Sequence, residues 1–215
     1  MRFGFLALSL VLCNCSADGE TPAFLAGFEP GAGSIFSAPP PNPQLGLFGG
    51  AIIAAGPEGF CADRRASRPN GGFALFASCD LLAMDESGAV APRQLISIQA
   101  GRPGSATVSG QEVALNALLH TDAGATILSA SGDAASVTVS RVEVSPGLVM
   151  VRFADVVPAA EGLHVHEWRA FMDVGGRLVT IGLRAPAAAP LSERAGLALL
   201  RQAASAFLQA NSLPG

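Results

Sequence analysis

The stretch from Val137 to Arg184 constrains the fold most, because it reads as strand after strand joined by turns too short for a parallel crossover. Val137 and Val139 alternate with polar residues, then Val142 and Val144 continue in the opposite phase, which predicts a bulge near Ser140 or Arg141. Ser145-Pro146-Gly147 turns the chain into Leu148 to Ala154, where Val149, Val151 and Phe153 share a face. His164 to Val174 and Arg177 to Arg184 are then joined by the hairpin signal Gly175-Gly176, with Val179, Ile181 and Leu183 facing inward.

Pro190 and Ser192 open a terminal helix whose face of Leu197, Leu200, Ala204, Phe207 and Leu208 has helical spacing and should pack on the sheet. Upstream, Ala51 to Ala55, Gly59 to Asp63, Gly72 to Cys79 and Leu95 to Ala100 read as strands, with Phe73, Leu75, Ala77 and Cys79 on one face. A first helix follows a Gly-rich loop. Ser109 and Glu112 have capping-box spacing, Ala114, Leu115, Leu118 and Leu119 form the apolar face, and Gly124 can end it. Strand group, helix, strand group and helix make an α+β sandwich, an antiparallel β-sheet flanked by two helices.

Asn70-Gly71 is a turn signal, and a chain folding back there brings Cys61 opposite Cys79 or its neighbour Asp80. In an oxidising compartment that geometry predicts a disulfide between Cys61 and Cys79, worth about 3 kcal/mol through the unfolded state. The close C-x-x-C spacing of redox-active pairs is missing, which favours a structural bridge over a catalytic one.

The compartment is read from the N-terminus. Arg2, an apolar run from Phe3 to Leu12 and the small residues Ser16 and Ala17 have the layout of a secretory signal over residues 1–17. A cut after Ala17 gives a soluble periplasmic protein, while lipidation of Cys15 gives one anchored to the membrane. Residues 18–44, dense in Pro and Gly, read as a disordered linker, and residues 45–215 as a single domain. No later segment offers about twenty uninterrupted apolar residues, so a lipid anchor is the one membrane attachment expected.

Composition excludes several functions. All 13 basic residues are Arg, so neither a Schiff-base lysine nor a phosphate-cradling P-loop can form, and Tyr is absent. Without Arg2, 12 basic residues face 17 acidic ones, a net of about −5 that argues against nucleic acid as a partner.

The phrases GFCADRRASRPNGGFALFASCDLL and WRAFMDVGGRLVTIGLRAP, with the closing helix, resemble a group of uncharacterised exported proteins of alphaproteobacteria. Over about Ala51 to Asn211 the element order also resembles the Mog1/PsbP-like fold. That resemblance implies an accessory or binding role and carries over no catalytic residue.

Two constellations could carry chemistry. His164 and His166 lie two apart on a strand and could ligate one metal. They share their face with Trp168, Ala170 and Met172, which favours satisfied histidines at the edge of the core; Glu167, Arg169 and Asp173 take the other face, read as solvent, and His120 sits on the distant first helix. Arg64, Arg65 and Arg68 at the tip of the cysteine hairpin could grip an anion, against the plainer reading of a solvated loop. No G-x-S-x-G is present. The expected protein is therefore an envelope binding or accessory module without a cofactor, whose partner is another envelope protein or a small ligand. A metal-dependent hydrolase using His164 and His166 and a thiol-disulfide protein using Cys61 and Cys79 are the alternatives.

Overall fold

Short turns between alternating strands give the computed structural model its framework. The structure describes residues 41–83 and 93–212. The chain divides into Met1–Pro39 and Pro40–Gly215, and every described residue belongs to the second part. The signal-like segment with Cys15, and residues 18–40 of the expected linker, lie outside the described residues. In chain order the strands are β1 (Gln44–Leu47), β2 (Ile52–Ala55), β3 (Phe60–Ala62), β4 (Phe73–Ser78), β5 (Leu95–Ala100), β6 (Val137–Ser145), β7 (Leu148–Asp155), β8 (Leu163–Val174) and β9 (Arg177–Pro186). The α-helices are α1 (Cys79–Ala83), α2 (Glu112–Leu119), α3 (Asp122–Leu128) and α4 (Glu193–Asn211).

Seven strands form one sheet in the order β3-β4-β5-β9-β8-β7-β6, with every pairing antiparallel, while β1 and β2 form a separate pair. The class is α+β with a large antiparallel sheet. The β6–β7 register shifts between Val139 and Arg141, where the valine phase breaks. Gly175 and Gly176 both adopt positive φ in the β8–β9 turn, a conformation that only glycine takes at little cost.

The sheet is buried on two faces. On one, Phe76, Ile98, Ile181, Trp168 and Met172 meet Leu200 and Phe207 of α4 and Leu47 and Ile52 of the β1–β2 pair. On the other, Val149, Val151, Phe153 and Phe171 meet Leu119 of α2 and Leu128 of α3. Fully buried side chains such as Trp168 and Phe207 contribute about 1.5–3 kcal/mol each through area removed from water. Gly196 lets α4 approach closely: a Cβ there would lie 2.2 Å from Cε2 of Trp168.

Several expectations are corrected. Phe73, Leu75 and Ala77 do share a face of β4, the half-buried one, but Cys79 leaves the strand as the first residue of α1; Ala74, Phe76 and Ser78 form the buried face, which alternation cannot select because every position from 73 to 77 is apolar. Glu112 does not cap its helix; its Oε1 accepts from the Gly147 N–H at 2.7 Å, and the Gly147 hydrogen bond leads in holding its carboxyl below the ordinary range. Gly124 does not end the first helix. The chain breaks at His120 and Thr121, Thr121 caps α3, and Gly124 sits inside α3, where a Cβ would lie 2.1 Å from the Leu118 carbonyl oxygen. Ala114 and Leu118 are exposed, as is Leu208 of α4. The face of Glu167, Arg169 and Asp173 is not solvent, since the α2–α3 layer covers it.

Candidate functional site

The cysteine hairpin forms, in a shifted register. Cys61 lies opposite Ala77, and Cys79 is the first residue of α1, with its N–H donated to the Gly59 carbonyl. The diagonal pair is still close enough, with Cα atoms 4.8 Å apart, to form the Cys61–Cys79 disulfide. At the tip, the Asp63 carboxylate accepts from the N–H groups of Arg65 and Ala66, folding the loop, and the short turn Pro69–Gly71 reverses the chain. The guanidinium of Arg68 donates to the carbonyls of Arg65 and Ser67 at 3.0 and 2.8 Å. Two of its donors therefore hold the loop itself, while Arg64 and Arg65 are exposed.

His164 and His166 come together at the start of β8, where the pairing with β9 shifts between Leu163 and Glu167. Their rings stack with centroids 5.0 Å apart, and the backbone N–H of His166 donates to Nδ1 of His164 at 3.1 Å. That bond needs a neutral Nδ1, which leaves His164 one ring nitrogen for any other partner. Burial, then the charge of Arg152, hold His166 below its ordinary value. Among the described residues no group of three or more His, Cys, Asp or Glu side chains is placed to hold a metal. His120 stands apart, exposed at the end of α2.

On the opposite face Glu167 is 2 % exposed and bonds Arg184 Nε at 2.7 Å and Arg169 Nη2 at 3.4 Å. Arg169 also donates to the carbonyls of Ile127 and Leu128 at the end of α3. Burial pulls the Arg169 pKa below its ordinary value, against the attraction of Glu167. Asp173 accepts from the N–H groups of Thr107, Val108 and Ser109 at 2.9, 2.7 and 2.8 Å. These groups fasten the second layer to the sheet.

The open surface lies instead where α4 crosses the β6–β7 hairpin. A groove of about 360 Å³ runs there, with Leu148, Met150, Ala204 and Leu208 as its apolar wall and Arg201 as its charged residue. Met150 also lines a smaller adjoining hollow with Arg152, Trp168 and Leu197. Around this seam Glu143 pairs with Arg141 and Arg201, and Glu193 with Arg141 and Arg152. Glu193 and Glu143 together raise the Arg141 pKa. Arg152 Nε and Trp168 Nε1, from facing positions of β7 and β8, are buried donors without a partner among the described residues. The sequence reading did not single out this seam. Its signal is the second stripe of α4, Leu197, Arg201, Ala204, Leu208 and Ser212, which flanks the core face at helical spacing.

No family model matches the chain, and no curated protein matches it. Among solved structures the chain is similar to the Ran-binding protein Mog1p of Saccharomyces cerevisiae, with 12% identity and a TM-score of 0.45 over 79% of this chain and 93% of that one. It is also similar to the cyanobacterial PsbP of Synechocystis, with 12% identity and a TM-score of 0.40 over 82% of this chain and 95% of that one.

Proposed function

We propose that this is an exported cell-envelope protein that works by binding, as an accessory module, and not by catalysis. The observation that carries the binding role is the seam of α4 against β6 and β7: a preformed groove of about 360 Å³ with an apolar wall and an arginine, within the roughly 300–1,000 Å³ typical of small-molecule sites. Export rests on the signal-like residues 1–17, with a cut after Ala17 or lipidation at Cys15, and the Cys61–Cys79 bridge suits an oxidising compartment.

The alternatives are less well supported by the chemistry. Thiol-disulfide exchange uses closely spaced cysteines with an accessible sulfur, and this pair lies 18 residues apart with Cys61 only 3 % exposed and Cys79 half-buried. For hydrolysis, His164 has one nitrogen already engaged with the backbone. The test is complementation of a deletion strain in its own host. Leu208→Arg, which fills and charges the groove, should reproduce the deletion defect, while a His164→Ala, His166→Ala double variant should restore growth fitness. A defect in the histidine variant with a working groove variant would contradict the reading.

A further inference from the structure

The seam carries more positive than negative charge. Arg141, Arg152 and Arg201 stand against Glu143 and Glu193, which leaves one cation in excess. Arg201 is the one of the three that lines the groove. It bonds Glu143 through a single nitrogen, and its side chain is 55% exposed. A guanidinium has five N–H donors in a fixed fork suited to a carboxylate, so Arg201 can accept a second anion while keeping Glu143.

The rest of the groove mixes apolar side chains with uncharged polar ones. The hydroxyls at its rim donate to nearby backbone, Ser145 to Leu148 and Ser212 to Leu208, and the Gln209 amide donates to the Ser205 hydroxyl. Ser145 and Ser212 thus spend their single donor on the backbone, Gln209 and Ser205 each keep one, and Arg201 is the groove's one charged donor. Leu148 and Leu208 give the groove its accessible apolar wall, over the nearly buried Met150 and Ala204, and Leu208 is 39% exposed. Burying such a wall favours a flexible hydrocarbon chain by area alone.

We infer that this groove binds a single-chain amphiphile with a carboxylate head, a fatty-acid-like molecule, its head on Arg201 and its chain along Leu148, Met150, Ala204 and Leu208. The inference rests on the binding reading above and names its ligand class. Trp168 is the chain's only tryptophan and lines the hollow that shares Met150, so it reports occupancy.

The experiment uses the mature protein purified from the host envelope and stripped of lipid, titrated with dodecanoate, with dodecanol and with vesicles of phosphatidylglycerol, while Trp168 fluorescence and heat are followed. Dodecanoate should bind saturably at one site and at least tenfold tighter than dodecanol. Arg201→Ala should remove that preference, and Leu208→Asp should weaken binding at least tenfold, both with an unchanged melting temperature. Equal affinity for dodecanol, an unaffected Arg201→Ala variant, or vesicle binding without dodecanoate binding would overturn the inference. If dodecanoate fails to bind while Leu208→Arg still loses cellular function, the ligand class falls and the binding reading stands. If neither effect is seen, both fall.

Discussion

Single residues decide how closely the layers of this protein approach. A methyl group at Gly196 would meet three atoms of the Trp168 ring within 2.7 Å, and the ring is fully buried, so neither partner can give way cheaply. Gly196→Ala should destabilise the protein by about 1–3 kcal/mol, measured by urea unfolding, in spite of alanine's higher helix propensity. Glu167 is the other sensitive position. Removing it as Glu167→Ala leaves Arg169 and Arg184 without their carboxylate and should cost about 3–5 kcal/mol. Two aspartates set the acid limit. Burial alone would raise Asp155, but the Ala130 N–H, the Ser136 hydroxyl and the Val157 N–H outweigh it and hold the group below 3.8; Asp173 is lowered in the same way by the N–H groups of residues 107–109. A depressed folded-state pKa means stability that is present above the unfolded value and lost as pH falls through the folded one. The difference in unfolding free energy between about pH 7 and pH 3 should therefore shrink in Asp155→Asn.

Elements with strong punctuation were legible in the sequence, and those without it were not. Gly175-Gly176 and Ser145-Pro146-Gly147 fix the hairpins, and the broken valine phase marks the β6 bulge. Nothing in the apolar run Gly72 to Cys79 tells one face from the other, so the burial of Phe76 over Leu75 is settled by packing against the β1–β2 side. The helix break at His120 is likewise tertiary. Gly124 has the composition of a stop signal, yet it serves the close approach of α3 to the end of α2. The cysteine hairpin shows how an element can be right while its register is not, since a diagonal pair bridges as well as a directly opposed one. Replacing both cysteines by alanine should cost about 3 kcal/mol in thermal or urea unfolding, as expected for a loop of this length. A negligible loss would mean that the bridge adds little to the constraint of the strands.

At the scale of the whole molecule, the polar alternation of Glu167, Arg169 and Asp173 imitates a solvent face while in fact fastening a second layer, which is why the sheet's double burial could not be read from its strands. The groove was hidden for a related reason: its walls come from β6, β7 and α4, and only their packing brings Arg201 beside Leu148. No helix among the described residues is long and apolar enough to cross a membrane. The proposed exported binding module, braced by the Cys61–Cys79 bridge, is tested most directly by a native intact mass. Protein taken from its own host's envelope, without chelator or reductant, should begin after Ala17 or at an acylated Cys15, lack two hydrogens at Cys61 and Cys79, and carry no stoichiometric metal. An uncleaved chain with free thiols, or a metal adduct lost when His164 and His166 are replaced, would contradict it.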